Sequence, residues 1–309
     1  MTPVVPKGTM TAPVGMAVQL YSVRDLPGSL PDILRRVRGF GFEGVEFADR
    51  FPEADPEALA AALEETGLEP LGVHADLETI EGSLAGENDL LDRCRTAGAG
   101  RLIVPHIASR HVQTGSATRA LSDRLASLAR DLDAHGIELG YHTAEQEFRP
   151  FLPEAVPRLL GAAPLPSGAT TYASKGLARV RQDWAGGVLG PGGFETLVER
   201  VPPENFTFEL DIPKVVAAGA DPVQVISAVG DRVSLVHLGD IARTGWLSHT
   251  EVPPGEGAVD MEAVVEAAVE ADIEWVVYEN ELDLDPAAKL DDGRSLYERL
   301  LDSPAVTVE

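Results

Sequence analysis

The chain has 309 residues, 44% of them hydrophobic, with 50 Asp and Glu against 25 Lys and Arg for a formal net charge of −25. That length and composition can bury a large core, in one α/β domain or two smaller ones. No run of eighteen apolar residues marks a membrane span, and so acidic a surface repels phosphate backbones, which argues against a nucleic-acid partner.

The acids are spread along helix faces such as "PEADPEALAAALEETG" and "DMEAVVEAAVEAD", the pattern of a solvated surface rather than a docking patch. Lysine is confined to Lys7, Lys175, Lys214 and Lys289, and acid excess with little lysine is expected of a halophilic-type surface. The single cysteine, Cys94, allows neither a disulfide nor a cysteine metal site within one chain. Residues 1–15, "MTPVVPKGTMTAPVG", read as a flexible tail rather than a targeting segment, and a soluble cytoplasmic protein is expected.

In chain order, short β-rich runs recur at "MAVQLY" (16–21), "GVEFA" (44–48), "LEPLGVH" (68–74), "RLIVPH" (101–106), "IELGYH" (137–142), "FTFELD" (206–211), "RVSLVH" (232–237) and "EWVVYE" (274–279). Helical patterns with apolar residues three and four apart lie between them, as in "LPDILRRVRGFG" and "TRALSDRLASLARDLDAHG". Several end in glycine just before the next strand, the signature of a left-handed cap. Eight strands alternating with helices predict a (β/α)8 TIM barrel over 16–309, with a doubly wound open sheet as the other arrangement. No Gly-x-Gly-x-x-Gly follows the first strand, which disfavours dinucleotide binding. The Pro- and Gly-rich interval 149–205 after the fifth strand reads as an insertion: a lid, an oligomer contact or a plain surface excursion.

The fifth to eighth strands end in His142, Asp211, His237 and Glu279. Parallel barrel strands converge at their C-terminal ends, so these four side chains are expected to face one centre. Two imidazoles and two carboxylates balance a divalent ion and suit Mn²⁺, Zn²⁺, Co²⁺ or Fe²⁺, with Mg²⁺ as a further candidate. A lone His or Asp at a strand end is more often a satisfied polar group or a helix cap; the coincidence of four favours a shared site.

The segments "MAVQLYSVRD", "GFEGVEF", "GLEPLGVHA", "GIELGYHTAEQEF", "FELDIPKVVAAGADP", "GDRVSLVHLGD", "PPGEGAVDMEAVVEAA" and "EWVVYENE", in this order, resemble the xylose isomerase-like TIM-barrel family, in its sugar phosphate isomerase/epimerase group. The resemblance covers most of the chain and implies the same four metal ligands. Many relatives carry Glu at the position of His142 and pair it with the strand-eight Glu for acid–base work; a His-Asn-His stretch of some relatives is reduced here to His142, Thr143, Ala144. Gly239 stands where relatives often have Lys, and Glu147 matches a family Glu.

The implied activity is a metal-dependent isomerase or epimerase working through an enediolate on a ketose, keto-sugar or sugar phosphate. A dehydratase or lyase of the same fold and a non-catalytic sugar-binding barrel are the alternatives. Glu279 is the first candidate proton carrier, with Glu147 also a catalytic candidate. His74, His106, Glu46, Trp246, Asp240 and Glu281 are candidate substrate contacts, each with a structural alternative as a rim, loop or capping residue. An abasic-site endonuclease of the same superfamily would need a basic face that this chain lacks. A small-molecule sugar partner and a homo-oligomer are expected. Self-repulsion in so acidic a chain should lower its melting temperature in dilute buffer, and molar KCl should raise it by screening; a flat or falling melting temperature across that range would refute this.

Overall fold

The computed structural model describes residues 14–156, 192–245 and 248–301. Most of the tail at 1–15, the bulk of the 149–205 insertion and Trp246 lie outside the described residues.

Eight parallel strands close into a barrel: β1 (Gly15–Gln19), β2 (Gly44–Phe47), β3 (Glu69–His74), β4 (Arg101–Val104), β5 (Glu138–His142), β6 (Phe206–Asp211), β7 (Val233–Leu238) and β10 (Trp275–Tyr278). β1 and β10 pair to complete the ring, with Val18 beside Tyr278. All eight strands fall where the sequence pattern puts them, and the barrel prevails over the open sheet. Unanticipated is a two-stranded antiparallel hairpin, β8 (Asp240–Arg243) and β9 (His249–Val252), which follows β7 at the top of the barrel.

Helices α1 (Leu30–Gly39), α2 (Pro56–Thr66), α3 (Leu77–Leu84), α4 (Leu90–Ala97), α5 (Gly115–Asp133), α6 (Gly193–Arg200), α7 (Ile212–Ala218), α8 (Pro222–Val229), α9 (Met261–Glu270) and α10 (Pro286–Leu301) surround the strands. Their starts follow local rules. Ser29 and Asp32 form a reciprocal capping box on α1, and Asp55, Asp76, Asp221 and Asp260 each accept a backbone N–H of the helix that follows. Gly67 closes α2 in the left-handed conformation, φ 65°, which a β-carbon would disfavour. α6 lies within the interval read as insertion and packs on α5 as part of the barrel wall. Pro150 and Gly192 form an antiparallel bridge, so the excursion leaves and returns at one point. No described helix is long and apolar enough to cross a membrane.

Alternation along the strands sorts side chains into two environments. Outward residues such as Val18, Phe47, Tyr141, Phe208 and Val236 join the main hydrophobic core under the helices. Inside, a lower layer of Ala17, Leu71, Ile103, Leu235 and Val277, with Trp275 against it, plugs the barrel. Glycines make this possible: a β-carbon on Gly44 would lie 2.9 Å from the Trp275 ring, and one on Gly140 would lie 2.7 Å from Ile103 Cγ1. Above this plug the inward side chains turn polar, and there the site begins.

Because Ile103 is fully buried and packs over glycines, little can collapse into the space left by truncating it. Ile103→Ala should cost about 2–5 kcal/mol in denaturant unfolding. A loss no larger than that of an exposed-site control would disprove the plug.

Candidate active site and metal centre

Each strand end delivers its polar residue by the same two-residue alternation. Gln19 comes from β1, Glu46 from β2, His74 from β3, His142 from β5, Glu209 and Asp211 from β6, and His237 from β7; Glu279 follows β10, its N–H extending the β10–β7 pairing to the Leu238 carbonyl at 3.2 Å. The tips of β5 and β6 are fastened together, with Thr143 N–H donating to the Glu209 carbonyl and Asp211 N–H to Thr143 Oγ1.

The polar layer has two tiers that share His237. In the upper tier, His142, His237 and Glu279 each offer a donor atom within 4.8 Å of the others. His237 Nδ1 is 3.0 Å from Glu279 Oε2, and Asp211 Oδ2 is 3.6 Å from His142 Nε2. His142 Nδ1 lies 3.1 Å from the Pro105 carbonyl. A carbonyl only accepts, so Nδ1 carries a proton and Nε2 is the ring nitrogen turned inward. That Nε2 is buried and has no hydrogen-bond partner, as befits a metal ligand.

In the lower tier, Glu46, His74, Glu209 and His237 also converge within 4.8 Å. His237 Nε2 lies 2.7 Å from Glu46 Oε2 and 2.8 Å from Glu209 Oε1. His74 Nε2 contacts Glu46 Oε1 and lies 3.1 Å from Glu209 Oε2. The groups hold one another charged. Burial alone would lower the two imidazoles, but the carboxylates overcome it: Glu46 and Glu209 push His74 up to about 10, and Glu209, Glu46 and Glu279 hold His237 well above its usual value. Burial would raise Glu279; the His237 charge and hydrogen bond, with His142 and Lys214, instead bring it down to about 2.

The tiers divide His237 by atom. A divalent ion in the upper tier would take His142 Nε2, Asp211, His237 Nδ1 and Glu279, two nitrogens and two carboxylates that match its charge. The lower carboxylates would then accept the Nε2–H of His237 and fix the tautomer that leaves Nδ1 free to ligate.

No protein-family model matches the chain, and no curated protein sequence matches it. Solved structures do. A sugar phosphate isomerase/epimerase from Parabacteroides distasonis ATCC 8503 superposes with a TM-score of 0.70 at 18% identity, over 97% of this chain and 100% of its own. The IOLI protein with a bound zinc atom gives 0.63 at 13% identity, over 93% and 98%. The probable 3-DHS dehydratase AsbF of petrobactin synthesis from Bacillus anthracis gives 0.61 at 15% identity, over 93% and 100%. The fold shared with these structures is the (β/α)8 TIM barrel.

Within this barrel the residues singled out from sequence separate into groups. His142, His237 and Glu279 meet at the mouth, with Asp211 beside them. Asp211 has a second duty, since its Oδ1 caps α7 by accepting Lys214 N–H at 3.0 Å. Glu46 and His74, read as substrate contacts, sit lower, Glu46 fully buried behind His237. His106 is exposed after β4, and exposed Glu281 donates its N–H to Glu251 Oε2 at 3.1 Å.

The other two have their carboxylates engaged by hydrogen bonds within the protein, Asp240 at the edge of the mouth and Glu147 behind it. Asp240, read as a substrate contact, has its carboxylate occupied by the N–H groups of Ile241, Gly255, Gly257 and Val259 at 2.8–3.1 Å. It pins the hairpin and the loop after it. Glu147, read as a catalytic candidate, lies behind β5, where Tyr141 Oη–H donates to its Oε1 at 2.8 Å and Ala144 N–H to its Oε2 at 2.9 Å. Tyr141 faces the helix layer, so Glu147 anchors the loop from outside the barrel.

The sequence reading passed over Glu209 and Lys214. Glu209 was signalled by its place two residues before Asp211, on the same inward face. Lys214 Nζ is 3.6 Å from Asp211 Oδ2, and Asp211, Glu279, Glu281 and Glu251 hold it protonated.

Burial pushes the Glu147 carboxyl up to about 7, against hydrogen bonds that favour its charged form. The folded chain therefore binds this proton more tightly than the unfolded chain, so stability falls as pH rises from about 4.5 to about 7. The full change is on the order of 3 kcal/mol. Glu147→Gln should flatten that part of the curve, measured by denaturant unfolding at fixed KCl from about pH 5 to about pH 8, and should leave metal content unchanged. Parallel wild-type and variant curves would contradict the assignment.

Proposed function

We propose that the protein is a divalent-metal-dependent sugar isomerase or epimerase that forms an enediolate from a ketose or keto-sugar. The observation that carries this reading is the unpartnered, inward-facing Nε2 of His142, set beside Asp211, His237 Nδ1 and Glu279 at the barrel mouth. The fold supports it too, since similar barrels include a named sugar phosphate isomerase/epimerase and a protein with bound zinc.

When bound, a divalent ion would polarise the sugar carbonyl and acidify the neighbouring C–H. The remaining chemistry belongs to the chain. Glu279 Oε2 faces His237, and the partly exposed carboxylate presents Oε1 as the atom to take the proton from the carbon beside the carbonyl. Returning that proton to the adjacent carbon, with the hydroxyl proton passing between the two oxygens, isomerises the sugar; epimerisation needs a second acid to protonate the opposite face of the same carbon. His142 cannot act as this base while its Nε2 is a ligand and its Nδ1 donates to Pro105. Glu46 and Glu209 hold the His237 ring in one orientation and keep a proton on Nε2. A dehydratase or lyase shares the first deprotonation and then expels a β-substituent, a reading favoured by the likeness to a probable dehydratase. Product analysis separates the two.

Purified wild-type protein should hold stoichiometric divalent metal, and Asp211→Ala and His237→Ala should each lose it, as measured by elemental analysis. Unchanged metal in both variants would remove the proposed centre. With ketoses and 3-keto sugars in D₂O, wild type should incorporate solvent deuterium beside the carbonyl. Glu279→Gln should slow this by about 10²–10⁴-fold. Equal exchange would reduce Glu279 to a ligand, and no exchange with metal fully bound would favour a non-catalytic sugar-binding barrel.

A further inference from the structure

Lys214 is a cation placed among acids. It stands in the first turn of α7, where Pro213 fixes the backbone and Asp211 caps the helix. Its side chain is about a third exposed, and it lines one cleft with Asp211, Gly239, Glu251, Glu279 and Asn280. Among the described residues the closest carboxylate oxygen, Asp211 Oδ2 at 3.6 Å, is beyond hydrogen-bond reach of Nζ, which leaves the ammonium N–H donors to offer a ligand.

Gly239 lines the same cleft and packs closely on its backbone. A β-carbon on Gly239 would lie 2.8 Å from the Glu279 carbonyl oxygen and 3.3 Å from Pro213 Cγ. Residue 239 therefore cannot send a side chain over the site without moving the backbone that carries Glu279. The cation arrives from α7 instead, beside the two carboxylates at the mouth.

Resting on the enediolate reading above, we propose that Lys214 holds the carbonyl oxygen of an uncharged keto-sugar and stabilises the oxyanion formed on deprotonation. In that step the C–H bond next to the carbonyl breaks, and its electron pair becomes the new C=C bond. The carbonyl π pair moves to the oxygen facing Lys214 Nζ, and the proton goes to Glu279 Oε1. Delivery of that proton to the former carbonyl carbon, with the neighbouring hydroxyl proton passing to the oxyanion as that hydroxyl becomes the new carbonyl, completes isomerisation with no oxidant or reductant consumed.

Charge selects the substrate class. Among the described residues, this single ammonium shares its cleft with the acids Asp211, Asp240, Glu251 and Glu279, and Glu281 adds its charge from nearby. With a divalent ion balancing Asp211 and Glu279, Glu251 and Glu281 still oppose the single ammonium, so a phosphate dianion gains no net attraction there, whereas a free sugar brings hydroxyls that can donate to the carboxylates.

The test uses full-length wild type, Lys214→Met and Lys214→Arg, checked for equal metal content and melting temperature. In D₂O exchange, free keto-sugars should outpace the matching sugar phosphates, and Lys214→Met should slow exchange by about 10²–10³-fold, the usual effect of removing one donor to a developing oxyanion. Calorimetry of an aldonohydroxamate, a stable enediolate mimic, should show at least about tenfold weaker binding to Lys214→Met, with and without added Mn²⁺. Binding of the matching alditol should be unchanged, and Lys214→Arg should recover part of the loss. Hydroxamate affinity and exchange equal to wild type in Lys214→Met would overturn the role of Lys214, and faster exchange of phosphates would overturn the substrate class. If wild type exchanges no sugar, the isomerase reading fails by itself, and the hydroxamate measurement still decides whether Lys214 binds an oxyanion.

Discussion

The site depends on one imidazole. His237 is fully buried, and its two ring nitrogens face three carboxylates: Glu46 and Glu209 at Nε2 and Glu279 at Nδ1. Removing that ring would leave three glutamates converging in a space of low dielectric, where an unpaired charge costs several kcal/mol. His237 is therefore at once an electrostatic keystone for the fold and the pivot between a buried hydrogen-bonded tier and a tier open to a ligand. The tautomer asked of it on the upper side is set by the carboxylates beneath it.

This polar layer is tolerable because of what surrounds it. Below it, Trp275 and Ile103 fill the barrel over glycines at 44, 72 and 140 and exclude water from that side. Outside, Val18, Phe47, Tyr141, Phe208 and Val236 bury the other face of the same strands. The strands thus read as nearly continuous apolar runs up to their last residues, as parallel strands covered on both faces should. The chemistry is confined to the ends, where alternation still points inward but the plug has stopped.

The same logic explains what was legible in the sequence. Strands announced themselves by apolar runs between helices ending in glycine, and barrel closure then brought His142, His237 and Glu279 together without further information. Glu209 was overlooked because it sits inside the apolar run "FELD", although its spacing from Asp211 assigns it inward. Glu147 could not be placed, because the segment after His142 turns behind β5 toward Tyr141, a path fixed by distant packing. Asp240 was obscured for a related reason: the hairpin it supports lies in a stretch that carries little strand pattern. Lys214 was overlooked because its place at the mouth depends on the start of α7 packing beside Gly239 after β7, a tertiary relation that no local pattern encodes.

The acidic surface and the acidic mouth respond differently to salt. At molar ionic strength the Debye length falls to about 3 Å, so repulsion between exposed helix-face carboxylates is largely screened. The buried tier is largely shielded from solvent, and its imidazole–carboxylate pairing is screened far less than the surface charges. Lys214 stands at the boundary, about a third exposed beside the nearly buried Asp211. Salt should weaken long-range attraction of any charged ligand to this mouth while leaving short hydrogen bonds to a bound sugar almost unaffected. On the role proposed for Lys214, a mouth that selects a neutral substrate by contact rather than by steering would lose least under those conditions.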